Sequence, residues 1–441
     1  MKQKIAILGA GESGVGAALL AKQQGAEVWV SDGGKIADRF RSVLTNHVIP
    51  FEEGKHTKET FFDSNLVIKS PGIPEHAAIV QEIRASHTPV ISEIEYAFRC
   101  SGAKIIAITG SNGKTTTTSL IWHLAKAMGW DAALVGNIGK SFAWQVATDP
   151  KPLYVLEVSS FQLDDIDQFR PDIALLLNIT PDHLDRYGYD IVRYGKAKFR
   201  IAENQRPDDT FIYSLDDPET HKQMPAHSIQ AQALGFALEK QAKAAAWTEE
   251  MGLCVQNELW ADFQLTQLLG PHNQLNALAA LLAVNALGVP DRKPVVDGLY
   301  SFQAIEHRLE KVKEADGILY INDSKATNID AVFHALKGLE TPIIWLAGGV
   351  DKGNDYSVLA EMVKEKVKSL IILGEHREAL DKAFPFVERL QVMSMEEGVR
   401  AAKKIARSGD VVLLSPACAS FDLFQNYEDR GRQFKKEVMN D

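Results

Sequence analysis

The hydrophobic residues of this chain fall mostly into short runs, separated by longer stretches with the spacing of helices. Such runs are typical of buried strands in a parallel sheet, and the stretches between them of covering helices. The predicted strands lie at residues 4–8, 27–30, 66–69, 90–91, 105–108, 153–158, 173–179, 211–213, 317–321, 343–346, 370–373 and 411–414. Residues 233–265 predict short antiparallel strands, and residues 273–287 predict a helix.

The strand and helix pattern restarts twice, after residue 103 and after residue 300, which predicts three α/β blocks in series. The length of 441 residues agrees with this, because it is too great for one compact core. We therefore expect three consecutive α/β domains, at residues 1–94, 95–302 and 303–441.

Composition narrows the classes of protein to which the chain can belong. No apolar stretch reaches the roughly 18 residues of a membrane span, and the N-terminus enters a strand without a signal peptide, so we expect a cytoplasmic protein. A net charge of -10 argues against nucleic-acid binding. The three cysteines, Cys100, Cys254 and Cys418, are too scattered for a disulfide framework or a zinc site.

The main chemical motif follows the strand at residues 105–108 and opens a helix. Gly110 and Gly113 allow a tight turn whose backbone amides point at an anion. Lys114 would reach terminal phosphates, and the hydroxyl of Thr115 would meet a magnesium ion. Only two residues separate the glycines, where the usual phosphate loop has four, so an ordinary strand-turn-helix connection remains an alternative.

A second glycine-rich loop, Gly9-Ala-Gly-Glu-Ser-Gly-Val-Gly, stands between the first strand and the first helix. The next strand ends near Asp32, where a dinucleotide site places a carboxylate for the ribose. Taken alone, the loop indicates NAD. A unit of about 90 residues is short for a complete dinucleotide domain, however, and a nucleoside diphosphate over the helix N-terminus fits at least as well.

Two further strands of the central block end in polar groups. Glu157 lies at the carboxyl edge of its strand, and His183 follows the next one. A carboxylate near a threonine hydroxyl and triphosphate oxygens suits magnesium, whereas histidine is an unusual ligand for that ion. A capping Asp182 with a surface histidine is the alternative.

Taken together, the motifs resemble the Mur ligases, the ATP-dependent enzymes that build the peptide of bacterial peptidoglycan. The motifs are Thr109-Gly-Ser-Asn-Gly-Lys-Thr-Thr, Glu157-Val-Ser-Ser-Phe-Gln, Asn178-Ile-Thr-Pro-Asp-His-Leu-Asp, Gly270-Pro-His-Asn-Gln-Leu-Asn-Ala, His307-Arg308 and Asp323-Ser-Lys-Ala-Thr-Asn. The Ser70-Pro-Gly turn and the closing Ser415-Pro-Ala-Cys-Ala-Ser-Phe-Asp-Leu-Phe with Arg430-Gly-Arg resemble the members that add D-glutamate.

The resemblance implies Rossmann-like first and last domains that flank a central P-loop-like ATPase domain. The first would hold UDP-N-acetylmuramoyl-L-alanine, and the last would bring D-glutamate and close over the site. The implied reaction forms an amide by way of an acyl phosphate and yields ADP and phosphate. No nucleic acid and no membrane span are implied, and a monomer is expected.

The resemblance also implies roles for individual residues. ATP contacts are implied at Gly110, Ser111, Asn112, Gly113, Lys114, Thr115, Thr116, Asn273, Asn276, Arg308 and Asp323. Contacts with the UDP-linked substrate are implied at Gly11, Glu12, Ser13, Gly14, Asp32, Ser70, Gly72, Asn137 and His183. D-Glutamate contacts are implied at Thr327, Lys352, Ser420, Phe421 and Tyr427, although a glycine-bounded lysine such as Lys352 is often simply exposed. The implied catalytic residues are Lys114, Glu157, His183, Lys198 and Lys325.

Two magnesium ions are implied, one held by Thr115 and Glu157 and the other by His183. Lys198 aligns with a lysine that carries a carbamate, which would act as a carboxylate-like ligand. The neighbouring Lys196 and a solvated basic helix face remain alternatives for that position.

Three rival functions remain. A dehydrogenase would leave Lys114, Glu157 and residues 323–328 without a purpose. A folylpolyglutamate synthase would share the ATP loop but lack the first glycine-rich unit. A nucleotide-binding regulator would release no phosphate coupled to a substrate.

Overall fold

The computed structural model describes residues 2–182, 184–288, 290–303, 306–339, 342–351, 353–375 and 377–440. It contains three sheets in series, of five, nine and six strands, which confirms the predicted α/β blocks. Contacts group the chain into two compact units. The first runs through Phe263 and includes Leu275–Tyr300, and the second comprises Gln264–Gln274 and the chain from Ser301 onward. Across the described residues, no helix combines the length and apolar character that a bilayer crossing requires.

The first sheet consists of parallel strands in the order β3-β2-β1-β4-β5. Its elements are β1 (Lys4–Leu8), α1 (Glu12–Gln23), β2 (Glu27–Asp32), α2 (Asp38–Asn46), β3 (Phe51–Glu53), α3 (Lys58–Phe62), β4 (Leu66–Lys69), α4 (Ala78–Ala85), β5 (Val90–Ser92) and α5 (Glu93–Cys100). Strands β2 and β3 lie on one side of β1, whereas β4 and β5 lie on its other side. Loops that leave β1 and β4 therefore share the crevice in which open α/β sheets bind ligands.

The second sheet has the order β14-β13-β12-β11-β10-β9-β6-β8-β7. Its strands and helices are β6 (Lys104–Thr109), α6 (Lys114–Ala127), β7 (Ala132–Gly136), α7 (Phe142–Thr148), β8 (Leu153–Glu157), α8 (Ser160–Leu163), β9 (Ile173–Leu176), α9 (Ile191–Phe199), β10 (Thr210–Ser214), α10 (Pro218–Gln223), β11 (Gln232–Phe236), β12 (Ala244–Glu249), β13 (Gly252–Val255), β14 (Glu258–Asp262), α11 (Pro271–Ala286) and α12 (Lys293–Ser301). β6 lies between β8 and β9, so the phosphate loop stands between the ends of two neighbouring strands.

The prediction of antiparallel strands over residues 233–265 is only partly right. β12, β13 and β14 pair antiparallel, but β11 extends the parallel sheet by pairing with β10, and β12 joins β11 in parallel. The predicted helix at residues 273–287 is confirmed as α11.

The third sheet has the order β15-β16-β20-β17-β18-β19, parallel except for β15. Its elements are β15 (Glu310–Ala315), β16 (Ile318–Asn322), α13 (Ile329–Lys337), β17 (Ile343–Gly348), α14 (Ala360–Lys366), β18 (Val367–Leu373), α15 (Glu378–Ala383), β19 (Glu388–Val392), α16 (Met395–Ile405), β20 (Val411–Leu414) and α17 (Tyr427–Met439). Short 3₁₀ helices occur at Leu184–Tyr187, Arg200–Ala202, Met224–Ala226, Phe263–Leu265 and Tyr356–Leu359.

Helices α1, α5 and α7 join the first two sheets within the first unit. Gly16 of α1 approaches α7 closely, since a Cβ there would lie 2.5 Å from Ser141 Oγ and 2.8 Å from the amide of Trp144. The predicted domain boundary after residue 94 falls inside α5, which also packs on α7. The domain boundaries therefore stay predictions, although the number of sheets is established.

Candidate active site

The phosphate loop between β6 and α6 is braced by Asn178, which follows β9. Asn178 Oδ1 accepts the amides of Ser111 at 3.0 Å and Asn112 at 2.8 Å, and its Nδ2 donates to the Asn112 carbonyl at 3.1 Å. Gly113 begins α6 with a φ of 81°, and a Cβ there would lie 2.4 Å from Asn276 Oδ1. Asn178 thus occupies the amides of Ser111 and Asn112. An anion at this loop would therefore bind the amides in the first turn of α6, which have no acceptor within the helix.

Two lysine side chains converge on the carbonyl of Gly110. Lys114 Nζ donates to the carbonyls of Gly110 and Ser111, both at 2.7 Å, and Lys198 Nζ donates to that of Gly110 at 2.7 Å. Lys198 is only 1% exposed. Burial and, secondarily, the charge of Lys114 hold the pKa of Lys198 well below its usual range, against the opposing effect of Asp182.

The structure separates Lys198 from its neighbour Lys196. Both lie on α9, but Lys198 is buried beside the phosphate loop, whereas Lys196 is exposed. A solvated basic face therefore describes Lys196 and not Lys198. The carbamate on Lys198 stays a prediction.

Glu157 ends β8 next to the phosphate loop, because its register partner is Ile108 of β6. The side chain is 1% exposed, and its Oε1 accepts a hydrogen bond from Asn137 Nδ2 at 2.9 Å. Its Oε2 is buried with no hydrogen-bond partner among the described residues. A buried carboxylate oxygen without a donor is unfavourable unless a cation meets it. This oxygen fits a magnesium ion, which prefers oxygen ligands.

Two of the other three predicted metal ligands lie at the phosphate loop. Thr115 lies in the first turn of α6, next in sequence to Lys114, and Lys198 approaches the same loop. His183 lies outside the described residues. Within the described ranges, no three His, Cys, Asp or Glu side chains form a metal cluster. The predicted ligands in these ranges are one carboxylate, one hydroxyl and Lys198, whose carbamate stays a prediction.

The first glycine loop is braced by a carboxylate. Asp32 Oδ2 accepts the amide of Ala10 at 2.7 Å, and its Oδ1 accepts that of Gly34 at 2.8 Å. Gly14 is required by packing, since a Cβ there would lie 1.9 Å from the Gly9 carbonyl oxygen. Asp32 thus shapes the loop, in addition to the substrate contact predicted for it.

The remaining residues predicted for the UDP-linked substrate surround this loop. Gly11 is the N-cap of α1, and Ser13 lies in the first turn of that helix. Ser70 Oγ donates to the Gly9 carbonyl at 3.3 Å, so the loop after β4 meets the loop after β1. Glu12 instead accepts the amide at the N-cap of α7, at 3.1 Å, and its carboxylate is turned toward the central segment. The substrate contacts of all these residues stay predictions.

The turn after β4 is tied to the central segment by an arginine and an ion pair. Arg186 donates to the carbonyls of Pro71 at 3.1 Å and Gly72 at 3.0 Å. Lys69 forms a buried ion pair with Asp165 at 3.0 Å. Gly72 is thus held in position through its own carbonyl.

The two asparagines predicted to contact the adenine side lie on α11. Asn276 belongs to the first unit, where its Oδ1 accepts a hydrogen bond from Thr117 Oγ1 at 3.2 Å. Asn273 belongs to the second unit, where its Nδ2 donates to the Leu269 carbonyl at 2.9 Å. Asn276 therefore supports the phosphate loop, and the adenine contacts stay predictions.

In the second unit, Asp323 is buried between two donors. Its Oδ2 accepts from Ser415 Oγ at 2.8 Å, and its Oδ1 accepts the Leu309 amide at 3.2 Å. Burial raises the pKa of Asp323 to about 7, although these hydrogen bonds and the charge of Arg308 oppose the change. Arg308 stands between His307 and Leu309, whose φ values are 68° and 43°. Such conformations are unfavourable for these residue types and cluster at functional sites.

A fully buried arginine, Arg430, joins two loops that carry predicted site residues. Its Nε donates to Ser324 Oγ at 3.0 Å, its Nη2 donates to the Ser324 carbonyl at 2.9 Å, and both terminal nitrogens donate to the Cys418 carbonyl at 3.2 Å. Lys325, next to Ser324, places Nζ 3.7 Å from the centroid of the Tyr427 ring. Arg430 had no predicted role, because a position in a motif does not reveal that its side chain is buried.

The residues predicted for D-glutamate lie on neighbouring loops of this unit. The Ala417 amide donates to the Ala326 carbonyl at 2.9 Å, which joins the loop of Thr327 to that of Ser420. Ser420 is buried, whereas Phe421 is 74% exposed, so only the backbone of Phe421 suits the predicted contact. Lys352 lies outside the described residues.

Three family models match consecutive parts of the chain. Residues 4–79 match the MurD N-terminal domain, residues 108–284 match the Mur ligase middle domain, and residues 307–418 match the Mur ligase, glutamate ligase domain.

Solved structures of several related enzymes share the fold over most of the chain. UDP-N-acetylmuramate-alanine ligase from Thermotoga maritima has a TM-score of 0.61 at 19% identity and covers 99% of each chain. The MurF ligase from Thermotoga maritima in complex with ADP has a TM-score of 0.62 at 17% identity, with coverage of 99% of this chain and 95% of that one. Folylpolyglutamate synthase from Mycobacterium tuberculosis has a TM-score of 0.58 at 15% identity and covers only 76% of this chain and 91% of its own.

Sequence relatives are far closer than these structures. The UDP-N-acetylmuramoylalanine–D-glutamate ligase of Porphyromonas gingivalis is 48% identical over 447 residues, which cover 100% of this chain and 99% of that protein. The enzyme of the same name from Bacteroides fragilis is 47% identical over 444 residues and 99% of both chains. The chain therefore belongs to the Mur ligase family and, within it, to the UDP-N-acetylmuramoylalanine–D-glutamate ligases.

Proposed function

We propose that this chain joins D-glutamate to UDP-N-acetylmuramoyl-L-alanine with the hydrolysis of ATP to ADP and phosphate, in the synthesis of peptidoglycan precursors. One observation carries the proposal: Lys114, Lys198 and Glu157 gather at the phosphate loop of a chain whose full-length relatives bear the name of this reaction. The proposal includes the predicted cytoplasmic location and monomeric state.

In the first step, the L-alanine carboxylate of the substrate attacks the γ-phosphorus of ATP. The bond from that phosphorus to the bridging oxygen breaks, which gives an acyl phosphate and ADP. Two anions must approach each other, so the site has to supply positive charge. Lys114 provides one cation at the loop, and the amides of the first turn of α6 provide a positive helix end.

Magnesium would be held by Glu157 and Thr115, and when bound it supplies charge that offsets the repulsion between the phosphate oxygens and the carboxylate. The donorless Oε2 of Glu157 supports this assignment. His183 is proposed as a ligand of a second ion.

Lys198 is proposed to carry a carbamate. Carbon dioxide adds to a neutral amine, forms an N–C bond and releases a proton, so a buried lysine with a lowered pKa is suited to the reaction. The product is an anionic group that suits a cation beside the phosphate loop.

In the second step, the amine of D-glutamate attacks the acyl carbon, and phosphate leaves from the tetrahedral intermediate. The two carboxylates of D-glutamate need donors, which we assign to Thr327, Ser420 and Lys352. Arg308 and Asp323 are assigned to the phosphate and the ribose of ATP, and Lys325 to a phosphate or the intermediate. Arg430 donates to the carbonyls of Ser324, which precedes Lys325, and of Cys418, two residues before Ser420.

Phosphate release tests the proposal. The protein is incubated with ATP, magnesium and UDP-N-acetylmuramoyl-L-alanine, with D-glutamate, with L-glutamate as the matched control, or with neither. We expect sustained release only with D-glutamate, in equal amounts with the amide product. Release that is indifferent to both substrates would contradict the ligase and favour a nucleotide-binding regulator.

A further inference from the structure

A chain of buried hydrogen bonds lies at the end of β2, next to the glycine pair at residues 33 and 34. Ser31 is fully buried, and its Oγ lies 2.8 Å from Glu52 Oε1 and 2.8 Å from His56 Nδ1. Glu52 also accepts the amide of Thr57 at 2.7 Å and its hydroxyl at 2.6 Å. The reaction as proposed gives these groups no role.

The single proton of Ser31 determines which nitrogen of His56 carries hydrogen. Although burial raises the pKa of Glu52, hydrogen bonds from Thr57 and Ser31 outweigh it and hold that pKa below its usual value, so the group is a carboxylate. A carboxylate is the stronger acceptor and takes the Ser31 proton. Ser31 Oγ must then accept from His56 Nδ1–H. In the tautomer with its hydrogen on Nδ1, the Nε2 atom is an acceptor.

The Nε2 atom of His56 is left open by its surroundings. Within the part of the chain that the structure describes, it has no hydrogen-bond partner, and the ring is only half-buried. A Cβ on Gly33 would lie 3.0 Å from it, so a side chain at that position would cover the nitrogen.

The second glycine of the pair is not explained by packing or by backbone conformation. A Cβ on Gly34 would meet only Asp32 Oδ1, at 3.5 Å among the described residues, which is an ordinary contact. Neither Gly33 nor Gly34 has a positive φ. The two glycines therefore leave a bare strip of backbone beside His56 Nε2, which suits a flat ring.

In open α/β sheets, phosphates meet the loop after the first strand and the nucleoside extends over the end of the second. The bare strip follows β2, and His56 follows β3, on that side of the loop at residues 9–14. We propose that His56 Nε2 accepts a hydrogen bond from N3–H of uracil, an inference that rests on the proposed UDP-linked substrate. His56 would then select uracil against cytosine, whose N3 is itself an acceptor.

The test compares two variants of His56, each of which keeps a polar group at the position of only one of the two ring nitrogens. In His56→Gln the amide reaches the position of Nε2 and keeps an acceptor there. In His56→Asn the amide reaches only the position of Nδ1, so it keeps the contact with Ser31 and loses the acceptor. Thermal unfolding of both variants checks that they fold alike.

Michaelis constants are measured for the UDP-linked substrate, its CDP-linked counterpart and its N3-methyluridine analogue. For the wild type, we expect the CDP-linked and N3-methyl substrates to raise KM roughly tenfold, which corresponds to one lost hydrogen bond. His56→Asn raises KM for the UDP-linked substrate by about the same factor, so its KM values for this substrate and for the analogues become more similar. The KM of His56→Gln for the UDP-linked substrate stays within about threefold of the wild-type value. The kcat and the KM for ATP and D-glutamate stay unchanged.

Three results would overturn this role for His56. The first is an equal KM of the wild type for the UDP-linked substrate and its N3-methyl analogue. The second is an equal KM of the two variants for the UDP-linked substrate. The third is an increase in KM for His56→Asn that disappears with a 2′-deoxyribose substrate, because that result would assign the hydrogen bond to the ribose. If the wild type does not turn over the UDP-linked substrate at all, the proposed function fails instead.

Discussion

The two glycine loops of the first unit have the same construction but are held by different side chains. Each connects a parallel strand to a helix at the carboxyl edge of its sheet. The loop at residues 9–14 is braced by the carboxylate of Asp32, whereas the loop at residues 110–113 is braced by the neutral amide of Asn178. The second loop also accepts hydrogen bonds from Lys114 and Lys198.

The difference shows how one loop geometry serves two tasks. A phosphate that is only held tolerates a carboxylate behind the loop, because backbone amides and a helix end suffice to bind it. A phosphate that is transferred develops charge during the reaction and needs cations nearby. We therefore interpret the first loop as a substrate holder and the second as the reacting centre.

The largest expected effect concerns the buried lysine of the second loop. Lys198→Ala should lower kcat roughly a hundredfold or more, because it removes the proposed anionic ligand of the cation that offsets the charge of the transferred phosphate. Steady-state phosphate release measures the loss, and short-chain carboxylic acids should restore part of the activity by replacing the carbamate. Lys196→Ala, on the exposed face of the same helix, is the matched control and should be unaffected. An unimpaired Lys198→Ala variant, or one that no acid rescues, would count against the carbamate.

A smaller effect should separate the two braces. Asn178→Ala leaves the amide of Asn112 without its acceptor, and it removes one of the two acceptors of the Ser111 amide, which keeps the backbone carbonyl of Asn178. The substitution should lower kcat about tenfold, with little change in KM for the UDP-linked substrate. Asp32→Ala should raise that KM about tenfold and leave kcat nearly unchanged. Initial rates over both substrate concentrations distinguish the two patterns. If both variants change the same constant, the division between holding and reacting is wrong.

An expected effect of another kind is on stability, and it arises from the buried carboxyl of Glu93 at the start of α5. Burial raises the pKa of Glu93 to about 7, opposed by the Ala143 amide and reinforced by Glu12. A raised pKa means that the stabilisation from this group is complete below its ordinary value of 4.5 and is lost as the pH rises through about 7.

Glu93→Gln stays neutral and should lose this pH dependence. Its free energy of unfolding, relative to that of the wild type, should therefore increase from pH 4.5 to 7 and level off above. Urea denaturation at several pH values measures the difference. Parallel stability curves for the two proteins would show that Glu93 does not titrate in this range.

The sequence predicted the central strands well and the edge strands poorly. Val411–Leu414 is buried along its whole length and reads as a continuous apolar run. The edge strand Glu388–Val392 alternates between exposed and partly buried positions, and its five residues give too weak a pattern to distinguish it from a loop. The edge strand Ala132–Gly136 was also missed, although it is apolar and none of its residues is exposed, because five residues are too few to distinguish a strand from another buried segment.

The candidate site was predicted where a motif carries the chemistry and missed where a distant partner does. Lys114 and Glu157 stand in local patterns that suggest phosphate and metal. Asn178 and Arg430 act through contacts with residues 67 and 106 positions away, which one sequence does not reveal. Lys198 was assigned through resemblance, because only tertiary structure distinguishes it from Lys196.

The contact at Gly16 has a consequence for recombining members of this family. Since α1 fits against Ser141 and Trp144 with no room for a methyl group, the helix behind the substrate loop and the start of α7 form a matched pair. A chimera that receives its first hundred residues from another ligase must therefore bring a compatible α7 with them. The natural point of exchange follows α7 rather than the end of the first sheet.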